Sequence, residues 1–302
     1  MSIRRHAIHH VPSRAISVLA CLVWACVAAG QYKGDDYFNQ AAALQRACKQ
    51  REAIPLYTKA IELDASDAEA FSNRARAWLE TDEFDKAVDD CTEAIRLKPG
   101  DIEAYVTRAE ARSEKGEYDT AIADCNQAAA LRPNDSSAYY FRGVAWDRKG
   151  NHDRAIKDFT EAIRLDPKDA EYYHGRANAW KHRAAYAKAI EDFVRALTLR
   201  PELTAARNSL AWLLATCPDA RFRDGKKAFD HASYVFETDG GKNWDYVDTL
   251  AAAYAECGDM RQARDYANKA IDLATRDEDK ETIRSRLAFY ERGRPYREPA
   301  PR

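Results

Sequence analysis

The sequence predicts an all-α fold: a solenoid of stacked antiparallel helix pairs, closed by a C-terminal capping helix. Three observations predict it. Pro99, Pro133, Pro167 and Pro201 follow one another at intervals of 34 residues, and Asp67, Asp101, Asp135 and Asp169 keep the same interval. Alanines repeat in register with them, in the series Ala53, Ala87, Ala121, Ala155, Ala189 and the series Ala60, Ala94, Ala128, Ala162, Ala196. Within each interval the apolar residues recur at three- and four-residue steps, the helical period. A fixed period of this length means small supersecondary units that cannot bury their apolar faces alone and do so by stacking.

Residues 1–30 stand apart. Arg4, Arg5 and Arg14 precede an apolar run from Ala15 to Ala29 that only Ser17 interrupts, and small residues close it at Ala28, Ala29 and Gly30. That is the layout of a secretory signal peptide. As a helix the run is about 22 Å long, against roughly 30 Å of bilayer hydrocarbon. An uncleaved signal anchor is the alternative, and Cys21 and Cys26 each follow an alanine as a lipidated cysteine would. The expected location is therefore exported, periplasmic or secreted, with membrane contact only if this segment is retained. The five later cysteines are an odd number for a disulfide framework. Cys91 and Cys125 occupy equivalent inward sites and read as small buried residues, while a Cys217–Cys257 bridge stays open. Charged residues make up 32% of the chain and the net charge is −2, with no concentrated basic face, so no nucleic-acid partner is expected.

The units begin near Gly34, Ala68, Ile102, Ser136, Ala170 and Thr204. Residues 136–169 are the cleanest. Tyr139, Arg142, Gly143 and Trp146 recur at three- and four-residue steps and mark an amphipathic first helix, and Gly150 ends it by accepting a left-handed backbone. Asp153 is expected to cap a second helix, as Asp85 and Asp119 would in their units. Ala155, Phe159 and Ala162 form the buried stripe of that helix, Pro167 forbids its continuation, and Asp169 caps the next unit. The sixth unit, 204–243, breaks register after Leu210–Leu214, with a long connection over Cys217–Asp224. A seventh resumes at Leu250, Ala251 and Tyr254, with Gly258, Ala263, Ala267 and Ala270 following. Residues 275–302 read as a capping helix, apolar at Ile283, Leu287 and Tyr290, and then a loose Arg- and Pro-rich tail from Gly293.

These columns resemble the tetratricopeptide repeat family over about residues 34–274. Gly143 and Trp146 match the family's small–aromatic pair, Ala155 and Ala162 its packing alanines, Phe159 its large second-helix residue and Pro167 its proline. Ala65 in place of the first proline and Arg112 in place of an aromatic depart from the pattern. The block from Leu210 to Asp259 is similar to the C-terminal units of bacterial exported members. The resemblance implies a right-handed α-solenoid of about seven units whose first helices line a groove for a protein or peptide partner. By that implication the groove residues are Glu110, Glu114, Tyr140, Asp147, Arg148, His174, Asn178, Lys181 and His182, with Phe38, Arg46, Arg76, Val144 and Trp212 beside them. The middle of this surface is acidic and its later part basic, which suits an extended partner carrying both signs.

Arg74, Arg108, Arg142 and Arg176 form one ladder, and Asp90, Asp124, Asp158 and Asp192 form a second. Each Arg is expected to meet an Asp across its own hairpin, where a bidentate pair fits. His174, Asn178 and His182 make a stripe, but eight residues of helix separate the histidines by about 12 Å, too far to share one ion. No metal and no cofactor are predicted. The sequence carries no phosphate loop, no H-E-x-x-H and no G-x-S-x-G. The predicted function is a non-enzymatic interaction scaffold. The competing reading is an enzyme, or an obligate enzyme subunit, using the His174/His182 surface and the 217–224 loop; a self-assembling array is third.

Overall fold

The computed structural model describes residues 33–300, and the predicted signal segment with Cys21 and Cys26 lies outside them. The described residues form α-helices joined by short turns, with one 3-10 turn at Ala220–Phe222. The chain divides into two compact stacks, one ending at Leu131 and the other starting at Arg132. The first holds α1 (33–46), α2 (Gln50–Leu63), α3 (Ala68–Leu79), α4 (Phe84–Leu97), α5 (Ile102–Glu114) and α6 (Tyr118–Leu131). The second holds α7 (Ser136–Arg148), α8 (His152–Leu165), α9 (Ala170–His182), α10 (Tyr186–Leu199) and α11 (Thr204–Thr216). It continues with α12 (Gly225–Asp239), α13 (Trp244–Glu256), α14 (Met260–Leu273) and α15 (Asp277–Glu291).

Capping fixes where the first helices begin. The side chains of Asp67, Asp101, Asp135 and Asp169 each accept from backbone N–H groups at the starts of α3, α5, α7 and α9. The expected internal cap of α8 is corrected by two residues. Asn151, not Asp153, caps α8 by accepting from Arg154 N, and Asp153, Asp85 and Asp119 sit inside the first turns. There their carboxylates face the positive end of the helix dipole without closing it. Except between α11 and α12, the turn inside each hairpin is left-handed at one recurring position: Cys48, Asp82, Gly116, Gly150, Ala184 and, past the register break, Gly258. Cys48, Asp82 and Ala184 adopt it despite their Cβ atoms, a strain that the hairpin geometry imposes.

Alanines of the periodic series are fully buried, including Ala53, Ala87, Ala121, Ala155 and Ala189, so the two helices of a hairpin pack closely. In the second stack the ring of Phe159 fills the space left by two glycines. A Cβ at Gly143 of α7 would come within 2.9 Å of that ring, and one at Gly175 of α9 within 2.7 Å. α8 therefore grips the helices on both sides through one aromatic residue.

The two charged ladders meet as predicted. Arg74 Nε and Nη2 donate to Asp90 at 2.7 and 2.8 Å, and Arg108 does the same to Asp124 at 3.0 and 2.7 Å. In the second stack Arg142 grips Asp158 at 2.8 and 2.7 Å, and Arg176 grips Asp192 at 2.8 and 2.9 Å. The third guanidinium nitrogen has a use that the intervals alone did not reveal. Nη1 of Arg74, Arg108 and Arg176 donates to Thr58, Thr92 and Thr160 on the preceding hairpin. One side chain thus closes its own hairpin and sews it to the previous one.

α15 caps the second stack with Ile283 and Tyr290 fully buried. The five described cysteines are free, so Cys217 and Cys257 are not bridged. Burial pushes the Cys91, Cys217 and Cys257 thiols up, toward the protonated and unreactive form. Among the described residues no helix is long and apolar enough to cross a membrane.

Candidate functional site

The predicted groove residues fall on first helices of both stacks. In the first stack Glu110 and Glu114 lie on α5; Glu110 accepts from Arg76 Nη1 at 3.3 Å, and Glu114 is exposed. The remaining seven lie on α7 and α9 of the second stack.

Two of those seven do other work. Tyr140 is half-buried, its ring 5.8 Å from that of Phe159 and 5.1 Å from that of Tyr172, so it belongs to the packing between hairpins. Asp147 is turned toward two histidines, with its Oδ1 2.7 Å from His152 Nδ1 and 3.3 Å from His182 Nδ1. Burial works to raise the Asp147 carboxyl, but the hydrogen bonds from His182 and His152 outweigh it and hold the group below the usual carboxylate range. The His174–Asn178–His182 stripe therefore splits. Asn178 Nδ2 is 3.0 Å from His174 Nε2, and Ser209 Oγ of α11 is 3.4 Å from the same nitrogen. His182 instead joins Asp147 and His152, a constellation absent from the sequence reading because His152 opens a second helix. Arg148 is exposed, and Lys181 lines a cavity with Asn208, Ser209 and Trp212.

The ending from Gly293, expected to be loose, is tied to α11. Pro218 stops α11, leaving its last carbonyls without helical partners. Three groups supply them. Glu298 N donates to Thr216 O at 2.9 Å, Arg297 Nη1 donates to Ala215 O at 3.0 Å, and Arg223 Nη1 donates to Cys217 O at 2.8 Å. Trp212 Nε1 also donates to Glu298 Oε1 at 2.6 Å, and Arg297 pairs with Glu256. Tyr296, Glu298 and Pro299 form one wall of a cavity whose other wall is His152, Lys181, His182 and Tyr186. The 217–224 loop is itself committed: Arg223 pins Cys217, Pro218 and Glu256, and Asp224 caps α12.

Beneath this surface lies a buried carboxyl. Asp248 is wholly buried, with Arg286 as its partner, and Arg286 also lies over the Trp212 ring at 4.5 Å. Burial outweighs the Arg286 charge and pushes the Asp248 carboxyl from 3.8 up to about 6. Between those values the folded chain holds a proton that the unfolded chain has released. Asp248 thus favours the fold at acid pH, and its contribution falls as pH rises through that window. In thermal or urea unfolding, the stability advantage of wild type over Asp248→Asn is expected to shrink by up to about 3 kcal/mol from pH 4 to pH 7. A gap that does not change with pH would contradict this.

Hairpin stacked on hairpin within each stack, with paired side chains joining neighbours, defines a helical-repeat protein of the α-solenoid class. Sequence profiles of the tetratricopeptide repeat match residues 38–102, 106–170 and 248–277, more than half of the chain in all. The chain belongs to the tetratricopeptide repeat family. No curated protein matches this chain. A tetratricopeptide repeat protein from Parabacteroides merdae is 16% identical, with a TM-score of 0.63 over 85% of this chain and 99% of that one. A chain of the APC/C hetero-tetramer Cut9–Hcn1 is 15% identical, with a TM-score of 0.70 over 83% of this chain and 48% of that one. TTC0263 of Thermus thermophilus is 18% identical, with a TM-score of 0.52 over 58% and 95%. These likenesses show the fold. The family consists generally of non-enzymatic scaffolds that bind proteins or peptides.

Proposed function

We propose that this protein is an exported, non-enzymatic scaffold that holds an extended segment of a partner protein on the first-helix face of its second stack. The observation that carries the reading is the chain's own tail. Residues 296–299 lie there without secondary structure, held by a backbone N–H to the end of α11, by Trp212 and by two charged side chains. Those are the contacts by which a peptide would be held, and they include one aromatic and one arginine anchor. Lys181, His182 and Trp212 face the segment, while His174 and Asn178 on α9 and Arg148 on the neighbouring α7 extend that surface. Export rests on the N-terminal segment, whose basic start, apolar run and small-residue end suit secretion.

The test uses the tail as probe. A synthetic peptide, RPYREPAPR, is titrated into a chain ending at Gly293. Saturable binding at micromolar concentrations is expected, weakened at least tenfold by Trp212→Ala. No binding, or binding indifferent to Trp212, would contradict the reading. Trp212 is the better probe than Tyr140, whose loss would disturb the packing around Phe159.

A further inference from the structure

The second stack gathers two histidines and a carboxylate around one point. Asp147 lies in the last turn of α7, His152 is the first residue of α8, and His182 is the last residue of α9. Their ligand atoms all lie within 4.8 Å of one another, and the two imidazole rings are 4.8 Å apart between centroids. Three separate helix ends bring them together, so the proximity is a product of the stack and not of spacing along one helix. We propose that Asp147, His152 and His182 bind a divalent transition-metal ion of the zinc type, with a fourth position open to the neighbouring cavity.

The donor set selects that class. Two imidazole nitrogens favour zinc and its first-row neighbours over magnesium or calcium, which take oxygen. Two nitrogens, one carboxylate and an open position form an arrangement that zinc accepts. With arms of about 2.0–2.2 Å, neighbouring ligands on a tetrahedral ion stand about 3.3 Å apart. Asp147 Oδ1 and His182 Nδ1 already have that separation, at 3.3 Å. The shorter approach, 2.7 Å from Asp147 to His152, is a hydrogen bond, and an arriving ion would replace its proton and widen it. His182 is the most exposed of the three, so its ring can turn to close the remaining distance.

The surroundings permit both entry and a fourth ligand. A cavity of about 760 Å³ opens beside the cluster, lined by residues 149–153 and 182–184. The guanidinium of Arg183 in that lining is paired with Asp153 at 2.9 Å. Lys149 Nζ lies over the Trp146 ring at 5.7 Å. Water or a polar group of a bound partner would complete the coordination from the cavity. Because its ligands come from α7, α8 and α9, the ion would tie two consecutive hairpins together.

The test is a titration of the full chain, stripped with chelator and then given Zn²⁺, with Co²⁺ as the spectroscopic probe. The expected result is a saturable equivalent of Zn²⁺ and visible Co²⁺ absorption that His182→Ala and His152→Ala reduce tenfold or more. His174→Ala, on the same helix as His182 but outside the cluster, should keep both. Zn²⁺ should also raise the melting temperature of wild type and of His174→Ala, but not of His182→Ala. His182 is exposed, so its loss is expected to leave helicity intact. Binding at His6, His9 or His10 would appear equally in every variant and cancel in the comparison. The proposal is overturned if Zn²⁺ titrates wild type and the double variant His152→Ala/His182→Ala alike, or if wild type takes up none.

Discussion

Asp158→Ala is expected to cost about 3–5 kcal/mol of folding stability, the cost of removing one partner from a largely buried ion pair. The side chains of Arg142 and Asp158 are only 20% and 12% exposed, and both oxygens of Asp158 accept from the guanidinium. Alanine would leave that guanidinium between α7 and α8 without its counter-charge. Glu117→Ala is the control. Glu117 pairs with Lys115 at 2.7 Å but is 41% exposed, where a pair contributes about 0–1 kcal/mol. Urea denaturation of the two variants measures the difference, and equal midpoints would show that the ladder is decoration on the helix faces.

Phe159→Ala is expected to cost a similar amount, about 3–5 kcal/mol, through the cavity left behind. Phe159 is 1% exposed and belongs to one apolar cluster with Ala155, Ile156 and Ala179, against which Tyr140 and Val144 pack. The same geometry gives a second, less obvious outcome. Gly175→Ala should destabilise, although alanine outranks glycine inside a helix by about 1 kcal/mol. The added methyl would stand 2.7 Å from a ring that its neighbours hold in place, and overpacking of this kind costs about 1–3 kcal/mol. A double-mutant cycle with Phe159→Leu isolates the clash, since the smaller side chain makes room. A Gly175→Ala protein more stable than wild type would show that the ring is free to move.

Much of the fold was legible because it repeats. The prolines, the caps at Asp67, Asp101, Asp135 and Asp169, and the buried alanines all announce themselves at one interval. The Arg–Asp ladder was legible for the same reason. Features that do not repeat were not legible. Cys48, Asp82 and Ala184 take the left-handed turn without the glycine that would signal it. Gly175 looks like an ordinary helical residue until Phe159 is seen against it.

At the candidate site the sequence singled out Asp147 and His182 but not His152, which lies on a second helix. A trace was present: His182 stands one repeat beyond Arg148, so the end of α9 falls beside that of α7, with His152 just across the turn. The tail was missed because proline and arginine signal an open chain. Its attachment depends on α11 ending early, at Pro218, with carbonyls left to be satisfied.

The central claim, that this face of the second stack receives an extended segment, is most directly tested by competition. Fluorescence anisotropy of labelled RPYREPAPR is compared between the intact chain and the chain ending at Gly293. With its own tail in place, the intact chain is expected to bind the peptide at least tenfold more weakly. Equal affinity for the two chains would mean that the tail and the peptide do not share a site, and the account of this surface would be wrong.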